Sequence, residues 1–252
     1  MAGETYQQYQ AYGEYERMEL DDDTANRLRA VTTSTLAGVL AKRGYNGMFM
    51  PGIKRVAGEQ SIVGLALTLR LLPARPDGDF SSADNARNPQ RVAVEGVRPG
   101  DVLIIDARGN TQSGVLGDVL ASRVALLGAA GIVTDGGMRD VAQLGAVGIP
   151  IYSAVTHGAA SPVMHTYADV NLPVSCAGVR INPGDVIVGD ADGVIVIPRH
   201  LAGDVALSAY DQEQMENWVL EQVRAGASSI DHYPPNEQRM AEYQAWKASR
   251  QG

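Results

Sequence analysis

The residues best suited to chemistry close the segment "TDGGMRD", where Arg139 and Asp140 stand side by side directly after two glycines. Arginine presents a planar fork that matches a carboxylate, and aspartate is a hard oxygen ligand for magnesium or manganese. Neighbours with these two roles can grip both ends of a 2-oxo acid. Earlier in the chain, Asp118 follows Gly117 at the start of a helical pattern. The backbone N–H groups of Asp118, Val119 and Leu120 have no acceptor within such a helix, so they can face a carboxylate or an oxyanion. A plain ion pair at the surface is the competing reading of Arg139 and Asp140.

Other reactive side chains are scarce. Lys42, Lys54 and Lys247 are the lysines, and none lies near the candidate loop in sequence, which leaves a Schiff-base mechanism few nucleophiles. Metal stabilisation of an enolate needs no lysine. The single cysteine, Cys176, sits in "PVSCAGVRI" among apolar neighbours and reads as a buried side chain; a lone cysteine also excludes an intrachain disulfide. His157 and His165 lack the spacing of a helical metal pair and read as surface or packing residues, with His200 and His232 peripheral.

These groups need elements to hold them. Thr24 to Arg43 has helical spacing up to Gly44, weakened at its middle by Thr32 to Thr35. "SIVGLALTLRLL" from Ser61 predicts a strand ending at Pro73, followed by a long loop dense in Pro, Gly, Asp, Asn and Ser. "PGDVLIIDARG" from Pro99 and "PGDVIVGDADG" from Pro183 share a pattern, and each reads as a β-hairpin entry. Between them, Leu116 to Leu127 is helical and "GIVTD" is a strand that runs into Gly136 and Gly137, where a sharp turn is expected. "IPIYSAV" and "GVIVIP" add strands, and Leu201 to Ala225 predicts a long amphipathic helix. The interleaving gives a mixed α/β fold. The tail from Ser228, with "HYPPNEQ", reads as an extended arm on an adjacent subunit.

Acidic residues outnumber basic ones by 29 to 21, and a net charge of -8 repels phosphate backbones, which argues against nucleic-acid partners. Met1 to Glu19 is polar and tyrosine-rich, unlike a signal peptide, and no run is apolar enough to span a bilayer. A cytoplasmic protein without membrane partners is expected.

On these residues the chain resembles the RraA-like family. The resemblance is carried by the D-x20-R-D spacing of Asp118, Arg139 and Asp140, by "GDVLASRVALLGAAGIVTDGGMRD" around it, and by "VSCAGVRINPGDVIVGDADGVIVIP". It runs roughly from Thr24 to Trp246. The family includes divalent-metal aldolases for 4-hydroxy-4-methyl-2-oxoglutarate and 4-carboxy-4-hydroxy-2-oxoadipate, and proteins called regulators of ribonuclease activity.

The resemblance implies an α/β fold of the swivelling β/β/α type with N- and C-terminal helical extensions. Residues 1–20 form an arm, 21–227 the catalytic domain and 228–252 the C-terminal extension. It further implies a homotrimer that can pair into a homohexamer, with sites at subunit boundaries. By similarity Asp140 holds Mg2+ or Mn2+, Asp118 orders its water ligands, and Arg139 contacts the oxo and carboxylate oxygens of a small 2-oxo acid. Backbone N–H groups from Gly117, Asp118, Val119 and Leu120 cradle the pyruvyl carboxylate, and Glu216 reaches in from the neighbouring subunit.

The implied reaction is class II aldol cleavage of a 4-hydroxy-2-oxo acid to pyruvate and a carbonyl product, with oxaloacetate decarboxylation through the same enolate. A non-catalytic regulator that binds a ribonuclease complex is the alternative, as is a metal-dependent dehydratase of 2-oxo sugar acids. One position departs from the aldolases of the family: Gln143 stands where they tend to carry an acidic residue. The long loop before Val92 is more elaborate than in compact members, and it offers Asn85 or Asn88 as a polar contact to substrate.

Overall fold

The structure is a computed structural model and describes residues 19–75 and 87–251. The expected arm therefore lies almost wholly outside the described residues, as does Asn85.

Two short helices open the fold, α1 (Asp22–Arg29) and α2 (Thr33–Lys42), where the spacing predicts one. The threonine run divides them. Thr32 takes an extended conformation and its hydroxyl accepts from the N–H of Thr35, capping α2. The Thr33 N–H and hydroxyl bond the Asp190 carboxylate at 2.7 and 2.9 Å, so these groups leave the helical ladder for partners elsewhere.

The strands are β1 (Lys54–Ala57), β2 (Ile62–Pro73), β3 (Asp101–Asp106), β4 (Gly114–Leu116), β5 (Gly131–Met138), β6 (Ile151–Thr156), β7 (His165–Val170), β8 (Val174–Cys176), β9 (Val179–Ile181), β10 (Val186–Gly189) and β11 (Val194–Ile197). Nine of them form one sheet in the order β1-β6-β5-β3-β2-β10-β11, with β4 beside β5 and β7 beside β2; β8 and β9 pair separately. Interspersed are α3 (Pro89–Glu95), α4 (Asp118–Leu126) and α5 (Val141–Leu144), and then α6 (Ala202–Arg224), α7 (Ser229–His232) and α8 (Glu237–Gln251).

Strand alternation builds the layers. From β3, Leu103 and Ile105 join a core with Val94, Ala121, Val124 and Leu144 of α3, α4 and α5, whereas Val102 and Ile104 enter a second core with Tyr152, Cys176 and Ile187. Val63 and Leu65 of β2 meet α1, α2 and α6 in a third. Each fully buried Leu or Ile stabilises the fold by about 1.5–3 kcal/mol relative to exposure.

The two PGDV segments do not both open hairpins. Only the second does, with β10 antiparallel to β11; β3 lies parallel to β2 and β5. Leu65 of β2 pairs with Asp101 on one side and Val186 on the other, so the repeated pattern starts two strands flanking the same neighbour. The expected turn at Gly136 and Gly137 is also absent, because β5 continues through both. A Cβ at Gly136 would lie 2.7 Å from the Ala107 Cβ, and one at Gly137 would lie 2.6 Å from the Ser113 carbonyl oxygen. Close approach, not a turn, demands glycine here.

The C-terminal tail is not an extended arm. It folds back as α7 and α8 on its own chain, where Tyr243 packs between Trp218 and Trp246 with ring centroids 5.7 and 5.9 Å away. Burial of these rings outweighs the solvation of an open tail. Cys176 is fully buried as expected, and burial pushes its thiol well above the ordinary value. No helix among the described residues is long and apolar enough to cross a membrane.

Candidate functional site

Two short parallel strands bring the site together. β4 pairs with β5 in parallel, Gly114 opposite Gly137 and Leu116 opposite Met138, so the residues leaving their carboxyl ends emerge side by side. After β4 come Gly117 and Asp118 at the start of α4; after β5 come Arg139 and Asp140. This topology, not proximity in sequence, joins Asp118 to the Arg–Asp step. Carboxyl ends of parallel strands are the usual place for ligands in open α/β sheets.

Hydrogen bonds fix both exits. The Arg139 N–H donates to the Leu116 carbonyl at 3.0 Å, and the His157 N–H donates to that of Met138 at 2.9 Å. Asp140 adopts the left-handed conformation, φ 59° and ψ 39°, and its carbonyl accepts from the N–H groups of Gln143 and Leu144. Aspartate is among the few residues that tolerate this region, and such strain gathers at functional sites.

Glycines make room for the two side chains. A Cβ on Gly117 would fall on Asp140 Oδ2, and one on Gly114 would lie 2.7 Å from Arg139 Cγ. Asp140 Oδ2 also stands 3.3 Å from Arg139 Nε, a nitrogen that is buried without a hydrogen-bond partner. Because Gly117 offers no side-chain cap, the first N–H groups of α4 are left for other acceptors. One of them is taken: the Val119 N–H donates to Asp118 Oδ1 at 2.8 Å.

A cavity of about 320 Å³ collects these groups, with Gly117, Asp118, Val119, Leu120, Arg139 and Asp140 all on its wall. That volume is at the small end for small-molecule sites. The structure thus brings together every predicted residue except Glu216. Glu216 lies on α6 outside this wall, where its Oε1 accepts from Gln212 at 3.0 Å and from the Tyr233 hydroxyl at 3.5 Å. Gln143 is exposed on α5 and does not line the cavity. Asn88 does line it, but its Oδ1 caps α3 by accepting from the Gln90 N–H at 2.9 Å.

Sequence reasoning missed four further residues that line the cavity, Gln90, Arg91, Ser161 and Tyr167. The Asn-Pro pair before Gln90 is a helix-start signal that could have marked α3; nothing in the sequence singles out Ser161 or Tyr167. Gln90 Nε2 donates to the Val115 carbonyl at 2.6 Å, tying α3 to β4. Burial pushes the Tyr167 phenol above its ordinary value, opposed by Ser161, the Arg91 charge, Gln90 and the Arg139 charge. His157 and His165 take no part: His157 Nδ1 accepts from the Ala159 N–H, and His165 is buried away from the cavity wall.

The donor set can be tested against a cation. Among the described residues no three His, Cys, Asp or Glu side chains cluster, so a closed four-ligand centre is absent there. Asp118 and Asp140 on one wall suit a hard ion that keeps several waters and binds through one or two carboxylates, as magnesium and manganese do.

Comparison with known proteins follows the same lines. The family model described as RraA-like (Aldolase/RraA) matches residues 29–196. A protein of Halalkalibacterium halodurans named "Putative 4-hydroxy-4-methyl-2-oxoglutarate aldolase" is 36% identical over 177 residues, 69% of this chain and 79% of that one. A relative of the same name from Ectopseudomonas mendocina is 33% identical over 119 residues, 47% of this chain and 72% of its own. Among solved structures, Streptomyces coelicolor RraAS2, titled an unusual member of the RNase ES inhibitor RraA protein family, aligns with TM-score 0.72 and 32% identity over 81% of this chain and 98% of its own. A Pseudomonas syringae protein at 24% identity has the same fold, with TM-score 0.72 over 84% of this chain and 96% of its own. Both loops that bring Asp118, Arg139 and Asp140 to the cavity lie inside the matched residues, and the chain belongs to the RraA-like family.

Proposed function

We propose that the chain is a class II aldolase that cleaves a 4-hydroxy-2-oxo acid into pyruvate and a carbonyl product. The observation that carries this reading is the convergence of Asp118, Arg139 and Asp140 on one small cavity at the start of α4. The names of its aldolase relatives support it.

In this mechanism the pyruvyl carboxylate rests against the free N–H groups at the start of α4. The Arg139 fork holds the 2-oxo oxygen and orients the C3–C4 bond. Asp140 and Asp118 would hold Mg2+ or Mn2+, directly and through water. When bound, the cation supplies positive charge where the 2-oxo oxygen becomes negative. As the 4-hydroxyl loses its proton to water in the cavity, the C3–C4 electron pair passes into the C2–C3 enolate and the new carbonyl compound departs. Return of a proton from that water to C3 then releases pyruvate. Fixed charges placed where negative charge develops are the main source of rate enhancement. Oxaloacetate loses carbon dioxide through the same enolate, so decarboxylation is the expected side activity.

The reading includes a homo-oligomer, a trimer or hexamer, in which Glu216 of one subunit completes the next subunit's site. Val119, at 74% exposure on the cavity wall, supports it, since an apolar side chain there suits coverage by another surface.

Pyruvate release from a panel of 4-hydroxy-2-oxo acids, coupled to lactate dehydrogenase, tests the proposal. Turnover that EDTA abolishes and magnesium restores is the expected result. No metal-dependent turnover on any member would favour the second reading, a protein that regulates a ribonuclease by contact. That reading draws on the likeness to RraAS2 and on Gln143, which leaves α5 without the extra carboxylate of the aldolases.

A further inference from the structure

The reaction as described leaves one proton carrier of the cavity unused. Tyr167 lines the cavity from β7 and is 7% exposed. The pairing of β7 with β2 slips at this point: Arg70 faces Asp169 and Leu71 faces Tyr167, so Ala168 is an extra residue without a partner on β2. A bulge of this kind re-aims a neighbouring side chain. The Tyr167 ring joins the core that contains Val94 and Val115, and its phenol oxygen hydrogen-bonds the side chains of Ser161 and Gln90, both of which line the cavity. Gln90 is itself pinned, because its Nε2 donates to the Val115 carbonyl at 2.6 Å. Ring packing and these contacts together hold the phenol at the cavity wall.

Few other groups there can hand over a proton. Asp118 and Asp140 are the carboxylates of the wall and are assigned to the cation. Arg91 and Arg139 keep their protons at any ordinary pH. Burial keeps the Tyr167 phenol protonated at rest, while Ser161, the Arg91 charge, Gln90 and the Arg139 charge all favour its phenolate. An acid that holds its proton until an anion needs it, with partners ready for the phenolate left behind, is suited to general acid catalysis.

We infer that Tyr167 is a catalytic residue that delivers the proton to C3 of the pyruvate enolate, with Ser161 and Gln90 positioning its oxygen. This inference rests on the aldolase reading for its enolate and goes beyond it in assigning the proton carrier. The C2–C3 electron pair takes the phenol proton, the C2 carbonyl forms again, and the O–H pair stays on the phenolate oxygen. Water that accepted the 4-hydroxyl proton passes it to the phenolate, so Tyr167 ends each cycle as it began.

Run in reverse, the same step exchanges the methyl protons of pyruvate with solvent, and proton NMR in heavy water with magnesium chloride follows it. The unmodified protein should catalyse this exchange. Tyr167→Phe keeps the ring and loses the hydroxyl, so the exchange kcat should fall about 100-fold or more while KM for pyruvate stays within about three-fold. Ser161→Ala leaves the phenol in place and should lower kcat about five-fold with KM unchanged. Circular dichroism melts report folding; should Tyr167→Phe not fold, an unchanged kcat in Ser161→Ala overturns the inference. Absence of exchange by the unmodified protein, an unchanged kcat in Tyr167→Phe, or a loss carried by KM would also overturn it. The two readings separate cleanly. Exchange that depends on Tyr167 without cleavage of any 4-hydroxy-2-oxo acid keeps the proton carrier and removes the aldolase; metal-dependent cleavage with exchange unaffected in Tyr167→Phe does the reverse.

Discussion

At the scale of single residues, the site depends on shape as much as charge. Arg139 approaches Asp140 through Nε, and the space for its stem exists only because Gly114 lacks a side chain. Arg139→Lys keeps the charge and loses the planar fork, so kcat/KM for pyruvate release should fall about 10- to 100-fold, or about 1.4 kcal/mol per factor of ten. Turnover close to the unmodified rate would remove Arg139 from the role assigned to it. A different residue governs pH dependence. His165 is 2% exposed with neither ring nitrogen hydrogen-bonded, and burial, then the Arg108 charge, holds its imidazole below the ordinary 6.5. Below 6.5 the unfolded chain therefore binds more protons than the folded one, and stability is lost as pH falls from 6.5 toward the folded value. Melting curves between about pH 7 and 5 should show a fall in Tm that is smaller in His165→Leu. Asp106 and Asp185, pushed up mainly by burial, act with the opposite sign, since on acidification the folded state takes up their protons at a higher pH than the unfolded chain does. They are present in both proteins, so the difference between the curves isolates His165; parallel curves would count against it.

At the scale of elements, α3 brings Gln90 and Arg91 to the cavity that Arg139 also lines. It has seven residues, too few to be stable alone, and it depends on its Asn88 cap, on Pro89 in its first turn and on core burial of Ala93 and Val94. Asn88→Ala should cost about 1 kcal/mol, seen as a drop of about 2–4 °C in Tm. An unchanged Tm would mean that burial alone holds the helix. The sequence marks this region only as the end of a long loop. Its helix is anchored by Gln90, buried beside β4, a long-range contact that local spacing does not encode. The same lesson applies to α1 and α2, which the threonine run divides once Asp190 and Glu213, far along the chain, take its hydrogen bonds.

At the scale of the whole molecule, the described chain gathers Asp118, Arg139 and Asp140 on one cavity and places Glu216 elsewhere, on α6. A site shared between subunits makes a distinctive prediction. Arg139→Ala and Glu216→Gln proteins, each impaired alone, should regain pyruvate release when co-expressed or dissociated and reassembled together. Mixed assemblies then contain sites with both residues intact, one from each subunit. Failure to regain activity, in samples shown by native mass spectrometry to contain mixed oligomers, would mean that Glu216 acts within its own chain or not at all.

By itself the sequence determined the α/β class, most of the strands and the identity of the Arg–Asp step with its Asp118 companion, because hydrophobic periodicity and helix-start signals are local and survive without a structure. It could not decide why Gly136 and Gly137 are glycines, since their reason is the approach of Ala107 and Ser113 across the sheet. Nor could it place Arg91, Ser161 and Tyr167 in one cavity with Arg139, or fold the tail onto Trp218. Those outcomes depend on contacts between residues distant in the chain, which only the packed sheet and its crossovers bring within reach.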